Sequence, residues 1–401
     1  MKTSTTLFLF LILVQSAFTQ SLDIQWYGYV HYGATFDSRQ IVAFRENHFL
    51  LYPAPQRLDK DGKDINAEPQ LNFAVLQTRF GSRLSGPEFI GAKSSALMEA
   101  EFLGNSESDV NGLRIRHAYV NLDWKDFELL VGQAWTVLYQ PEAAPQVVAS
   151  NGGAPFLPFG RHPQIRFTAN VDNVKLIAAL QMQRDYSSSG PLGTSNVYMR
   201  NGLLPELIFQ IQYRSGGLFL GGGAEYKSLR PRQTTTKNIV TTERVNSYAF
   251  NGYVKLPIGD VTARFNAAYG GNMSDVTMIG GYAVTGLDTV TGIETYSPVK
   301  TLSLAADLSY GKELELGLFF GYTKNLGADE NYAGAFFGRN NDIDAAFRIS
   351  PRIQLSQGKT RFSLELEHTS AAYGATDAQG KVSNTKQYAN TRVNFAAYYF
   401  F

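Results

Sequence analysis

Apolar and polar residues alternate with a period of two through most of this chain. At its end, Val393, Phe395, Ala397, Tyr399 and Phe401 fall on one face of an extended segment, and Arg392 and Asn394 on the other. Successive side chains of a β-strand point to opposite faces, so the segment reads as a strand with one apolar and one polar side. The pattern recurs upstream. Ile165, Phe167, Ala169 and Val171 oppose Gln164, Arg166, Thr168 and Asn170; Leu314, Leu316, Leu318, Phe320 and Tyr322 oppose Glu313, Glu315, Gly317, Phe319 and Gly321. Sixteen such segments are expected, over 24–36, 71–84, 94–103, 112–122, 126–136, 164–171, 174–186, 205–214, 217–229, 245–256, 260–271, 299–310, 313–324, 339–355, 360–372 and 386–401. Short connections such as Asp172-Asn173, Ser215-Gly216 and Gly311-Lys312 carry hairpin chemistry. They alternate with long polar ones at 37–70, 137–163, 187–204, 230–244, 272–298, 325–338 and 373–385; the turn at 85–93 and the loop at 104–111 depart from this rule.

An even number of amphipathic strands, joined by turns that are short on one side and long on the other, describes an all-β transmembrane antiparallel β-barrel with lipid outside and water inside. A soluble sandwich also alternates, but here apolar faces finish in aromatics (Tyr226, Tyr310, Tyr322, Tyr399, Phe401), which suits girdles at the two membrane interfaces. Composition agrees. A length of 401 residues alone suggests several soluble domains, yet only 18% are charged and 13% are aromatic, with mean hydropathy −0.18, as one large barrel requires. Lys2, the apolar run Leu7 to Val14 and the small residues Ala17 and Thr19 form an export signal. Cleavage after Thr19 is expected, leaving 20–401 as the barrel, destined for the bacterial outer membrane. The chain has no cysteine, which excludes disulfides, thiolate metal sites and a lipidated N-terminal cysteine. A net charge of +1 gives no reason to expect nucleic acid as a partner.

The stretch from Leu113 to Trp135 reads LRIRHAYVNLDWKDFELLVGQAW. Its pieces Arg114 to Val120 and Val131 to Thr136 resemble a strand–turn–strand block of trimeric outer-membrane porins, most closely the DcaP-like group. The resemblance implies a sixteen-stranded homotrimer with a water-filled pore in each protomer, and uptake of small anions of the dicarboxylate type. Its partners would be ions, small hydrophilic solutes and outer-membrane lipid, with no cofactor. The expected function is passive diffusion; the alternative is a structural or docking barrel whose lumen is closed by loops.

A pore selects by width and by lining charge. In trimeric porins the loop after the fifth strand folds inward, so residues 137–163 are the expected constriction. Their five prolines stiffen the loop, Asn151-Gly152-Gly153 permits a bend, and Glu142, Arg161 and His162 are the titratable members. A ladder of lining charge is expected beside it. If Leu76, Phe80 and Leu84 mark the lipid face, Arg79 and Arg83 point inward. Arg114 and Arg116 share a face, Arg166 lies on a polar face, and Glu99 and Glu101 stand between the arginine strands. Such a ladder either biases passage toward anions or forms a salt-bridged wall. With Arg114 and Arg116 inward, His117 and Tyr119 face outward and are expected at an oligomer interface; a β-bulge would flip that face instead. The five histidines show no metal-ligand spacing, and His368, beside Thr369 and Ser370, has no catalytic partner that can be placed. An enzyme is not expected.

Overall fold

A computed structural model describes residues 22–401; the expected signal and its cleavage after Thr19 lie outside the described residues. Sixteen strands close into one antiparallel barrel. They are β1 (Asp23–Asp37), β2 (Gln70–Ala74 and Arg79–Ser85), β3 (Lys93–Phe102), β4 (Leu113–Asp123), β5 (Phe127–Trp135), β6 (Arg161–Val171), β7 (Val174–Gln181) and β8 (Glu206–Ser215). The second half comprises β9 (Leu218–Leu229), β10 (Val245–Ile258), β11 (Val261–Gly271), β12 (Glu294–Tyr310), β13 (Leu314–Gly327), β14 (Ile343–Gln357), β15 (Thr360–Thr376) and β16 (Val382–Phe400). Each strand pairs with its sequence neighbours, and β1 closes the ring on β16 through Tyr29–Phe400 to Asp37–Arg392. Closure leaves the barrel wall no open edge.

Every expected segment overlaps one of these strands; β6, β12, β13, β15 and β16 run three to five residues past the expected outer ends, whereas β7 stops at Gln181 and β14 starts at Ile343, short of them. The outward face is apolar and exposed: Phe73, Met98, Ile165, Phe209, Phe250, Leu304, Leu316, Ile349 and Leu364 form a belt. Tyr213, Tyr310 and Tyr399 ring its turn side; Tyr226 and Tyr248 meet across β9 and β10 with ring centroids 5.2 Å apart and planes tilted by 44° near the loop side. Val393 and Tyr399 face out, whereas Arg392 and Asn394 are buried inside.

Two register details depart from the sequence reading. β2 is interrupted at 75–78, where Gln77 adopts φ 68°, and Leu76 turns inward against Leu103 and Val110 instead of toward lipid. The break resets the alternation, so Arg79 and Arg83 still point inward. In β4 the pairing with β3 steps from Glu99–His117 to Ala100–Ile115, leaving Arg116 as an extra bulged residue. Arg114, Arg116, His117 and Tyr119 therefore all face the interior. His117 packs on Trp135 with ring centroids 5.8 Å apart. The outward positions are instead Ile115 and Val120, at 62% and 50% exposure, so His117 and Tyr119 are not outward interface residues.

The apolar core lies inside the barrel and is built by loops. A hairpin between β1 and β2 (Ile41–Phe44 with Phe49–Pro53) folds inward, and Phe49, Leu51 and Tyr52 pack with Phe156, Leu157 and Phe159 of the β5–β6 loop. Between β7 and β8 a single-turn helix α1 (Val197–Gly202) lies over the outer ends of β9 and β10, where Tyr198 and Met199 meet Leu229 and Val245.

Candidate functional site: the barrel lumen

The loop 136–160 lies along the inner wall, and side chains of successive strands hold its backbone. Gln210 on β8 donates to the Val137 carbonyl (2.7 Å), Asn251 on β10 to Leu138 (2.8 Å), and Asn266 on β11 to Ala143 (2.8 Å). Farther round, the Gln146 amide donates to Asp307 on β12 and the Ala149 amide to Glu365 on β15 (2.7 Å). Arg348 on β14 donates to the Ala154 carbonyl and also to Leu50 and Leu51 of the first hairpin, so one guanidinium ties both loops to the wall. Inward-facing Phe319 packs on Phe156 at 6.2 Å, and Gly321 beside it leaves room for that ring.

Glu142 is the only charged residue of 137–160. Its carboxylate accepts two hydrogen bonds from Arg214 on β8 (2.8 and 2.6 Å) and one from Lys255 on β10 (3.2 Å). The bond from Arg214, seconded by Lys255, pulls its pKa down to about 2. Arg161 and His162 are not loop residues: they open β6, paired with Trp135 and Ala134. The proline at 163 obscured that start, since proline donates nothing to the ladder.

Of the expected arginine ladder, Arg79, Arg114 and Arg116 form one connected cluster, joined by Arg161. Arg116 donates to Glu99 (2.6 Å) and Glu101 (2.8 Å); Arg114 to Glu101 (2.6 Å) and Asp185 (3.0 Å); Arg79 to Glu101 (3.0 Å); Arg161 to Asp185 (2.7 Å). Four guanidiniums meet three carboxylates, an excess of one charge, and Glu101 is fully buried. Tyr27 donates to Glu99 (2.9 Å), and Arg83 lies over the Tyr27 ring at 4.2 Å. Arg166 stands apart, bonded to Gln164 and the Trp135 carbonyl.

Three further polar clusters went unread in the sequence because each joins residues far apart along the chain. Arg352 on β14 pairs with Asp307 on β12 and Glu315 on β13. Arg392 on β16 pairs in bidentate fashion with Asp37 on β1. Lys227 on β9 lies 2.5 Å from Asp275, 3.4 Å from Glu225 and 4.0 Å from Glu206. Those three carboxylates are close enough together to ligate a cation, and the Lys227 ammonium already stands among them. Glu315 was visible on a polar strand face; its partner was not. His368 faces outward beside Phe347, against the Thr391 hydroxyl.

Exposure separates these groups. On the turn side, Arg83, Lys175 and Arg214 face the lumen and are exposed. Of the nearby acids, Glu128 is engaged by Lys175, Glu142 by Arg214 and Lys255, and Glu315 by Arg352, whereas Asp23, Asp123 and Glu313 at the turn ends have no basic partner within ion-pair distance among the described residues. Among the described residues Arg83, Arg166 and Arg361 have no acidic partner within ion-pair distance.

The closed sixteen-stranded wall, its apolar belt and its charged interior with an inward loop define the architecture of an outer-membrane porin. The chain has the fold of the outer-membrane channel DcaP of Acinetobacter baumannii, with a TM-score of 0.71 over 95% of this chain and 98% of that one, at 16% identity. It also resembles an anion-selective porin from Comamonas acidovorans (TM-score 0.56, 13% identity, 95% of this chain and 100% of that one). A third likeness is the trimer form of OmpT of Vibrio cholerae (TM-score 0.55, 12% identity, 95% and 100% covered). At these identities the likeness defines the fold. No protein-family model and no curated sequence relative matches the chain.

Proposed function

We propose that this chain is a passive-diffusion porin of the bacterial outer membrane, conducting ions and small hydrophilic solutes with a lean toward anions, dicarboxylates among them. The observation that carries the reading is the loop 136–160, bonded along the inner wall from β8 to β15 above a turn-side lumen in which Arg83, Lys175 and Arg214 are exposed. Glu142 anchors that loop; exposed Arg83, with the half-buried Arg166 and Arg361, rather than the buried Arg79–Arg114–Arg116–Arg161 cluster with its single excess charge, supply the bias, since a pore responds to charge that water and ions can reach. The anion-selective porin among the structural likenesses supports this lean. Catalysis has no place in this reading.

Trimer formation is part of the proposal. On the outward face of β1 to β4, Ser82, Ala100 and Ala118 form a shallow floor between Trp26, Met98 and Ile115, a surface on which another wall packs closely. A second reading, a barrel closed by its loops, draws on one observation: the first hairpin and the inward loop share a fully buried apolar cluster inside the barrel. Liposome swelling separates the two. Entry of neutral sugars that slows with size, with faster entry of a dicarboxylate than of a neutral solute of equal mass, supports the open porin. Absence of swelling from a folded barrel supports the closed one.

A further inference from the structure

A further chain segment enters the barrel between β11 and β12. Residues 272–279 leave the wall after Gly271, make one 3-10 turn at Ser274–Val276, and return to a hairpin in which Gly280–Leu287 pairs with the outer part of β12. Every residue of the segment is buried, at 2% exposure or less.

Its hold on the interior is weaker than that of its neighbours. The first hairpin and the loop 136–160 are fixed by Phe49, Tyr52, Phe156 and Phe159 in one shared cluster, to which this segment adds Ile279 alone. Met273, Val276 and Met278 lie instead on the small side chains of Ala249 and Ala268. Four of its polar residues are enclosed without protein partners: Asn272 at both amide atoms, Ser274 and Thr277 at their hydroxyls, and Asp275 at one carboxylate oxygen. A buried polar group without a hydrogen bond costs free energy that exposure to water returns. Thr277 also holds φ 68°, a left-handed conformation that strains a β-branched residue. Gly270-Gly271 precede the segment and Gly280-Gly281 follow it, the second pair at φ 108° and 153°.

Asp275 supplies the latch. Its carboxylate lies 2.5 Å from Lys227 on β9. Arg339 donates to the Ser274 carbonyl (2.7 Å), Thr301 to the Ile279 carbonyl (2.8 Å), and the Phe159 amide to the Val276 carbonyl (3.0 Å). Release of Asp275 strands no charge in the wall, because Glu225 and Glu206 stay 3.4 and 4.0 Å from the ammonium. A strained, under-bonded strap with glycines at both ends has less to lose on leaving the lumen than the two aromatic-anchored loops beside it.

We propose that residues 272–279 are a gate: the segment swings between its buried seat, where it narrows the outer half of the lumen, and an outward position that widens the path. The inference rests on the diffusion reading above, whose constriction stays in the loop 136–160.

The chain has no cysteine, so Ser274→Cys introduces a single thiol. The test is labelling of that thiol in the intact purified barrel by a small charged methanethiosulfonate reagent, read by mass, alongside single-channel current in a planar bilayer. The expected result is labelling at position 274 while Ser303→Cys, equally buried in the wall of β12, stays unreactive. The labelled channel carries a raised current, since the charged adduct keeps the segment from reseating. Asp275→Asn, which leaves Lys227 its other two carboxylates, speeds labelling about tenfold, and Thr277→Gly, which relieves the left-handed strain, slows it by about the same factor. Position 274 as unreactive as position 303, a rate unmoved by both Asp275→Asn and Thr277→Gly, or labelling that leaves the current of a conducting barrel unchanged overturns the proposal. Labelling is scored without conductance, so the two readings fail separately. A barrel that conducts with position 274 unreactive keeps the porin and loses the gate; one that is labelled but never conducts loses the porin and keeps the moving segment.

Discussion

Glu142 is where the inward loop meets the lumen's cations, and its role is open to direct test. Its carboxyl is held at about 2, below its ordinary range, so the anchor is complete at neutral pH and is lost only as pH falls through that value. Acidification from pH 7 to 4 therefore leaves the contribution of Glu142 to conductance unchanged. Glu142→Gln frees the charges of Arg214 and Lys255, and removal of one facing charge, worth about 1 kcal/mol at contact in water, raises the anion-to-cation permeability ratio about fivefold, read from the reversal potential. Glu101 tests the opposite kind of residue. It is fully buried and engages Arg79, Arg114 and Arg116. Glu101→Ala strands those guanidiniums and lowers stability by about 3–5 kcal/mol, measured as a shift in the unfolding midpoint in denaturant. Arg83→Ala, by contrast, changes selectivity and leaves that midpoint nearly unmoved.

At the scale of elements, the loop 136–160 and the first hairpin act together. A Cβ at position 321 would overlap the Phe156 ring, so Gly321→Ala pushes the loop off the β13 wall; single-channel current through that variant departs from wild type and becomes noisier. His48 of the first hairpin contacts the Ser150 hydroxyl of the loop. Burial above all, with His31 and Arg392 adding to it, lowers its pKa to about 3. A histidine whose folded pKa is lowered favours the folded state fully above its ordinary value near 6.5 and progressively less as pH falls toward 3. Hydrogen exchange at matched intrinsic rates is expected to show the 41–53 hairpin losing protection between pH 7 and 4, and His48→Gln is expected to remove most of that dependence. The strands themselves were legible because lipid and water impose a period of two that survives even in weakly apolar strands such as β6. What escaped the sequence was register where no apolar residue marks a face. The run Arg114-Ile115-Arg116-His117 does not reveal which residue is bulged, and Arg161-His162-Pro163 disguises a strand start as loop. Phe49-Leu50-Leu51-Tyr52, four large apolar residues inside a nominal outer loop, was the available sign that this loop folds inward. The Lys227 and Arg352 clusters could not be read because, Glu225 on the same strand as Lys227 aside, their partners lie on other strands or, for Asp275, in a loop.

For the whole molecule, the wall and its contents play separate parts. The belt and girdles fix the barrel in lipid, the buried ion pairs hold a wide cylinder in shape, and in the proposed porin the unpaired cations on the turn side set what passes. The proposal assigns selectivity to Arg83, Arg166 and Arg361 and stability to the salt-bridged cluster beside them. The most direct test is the single-channel reversal potential of the purified protein in a planar bilayer under a salt gradient. The account predicts discrete openings with a reversal potential on the anion side, moved toward zero by Arg83→Ala/Arg361→Ala. A folded, inserted barrel that never opens, or one whose potential lies on the cation side, would contradict it.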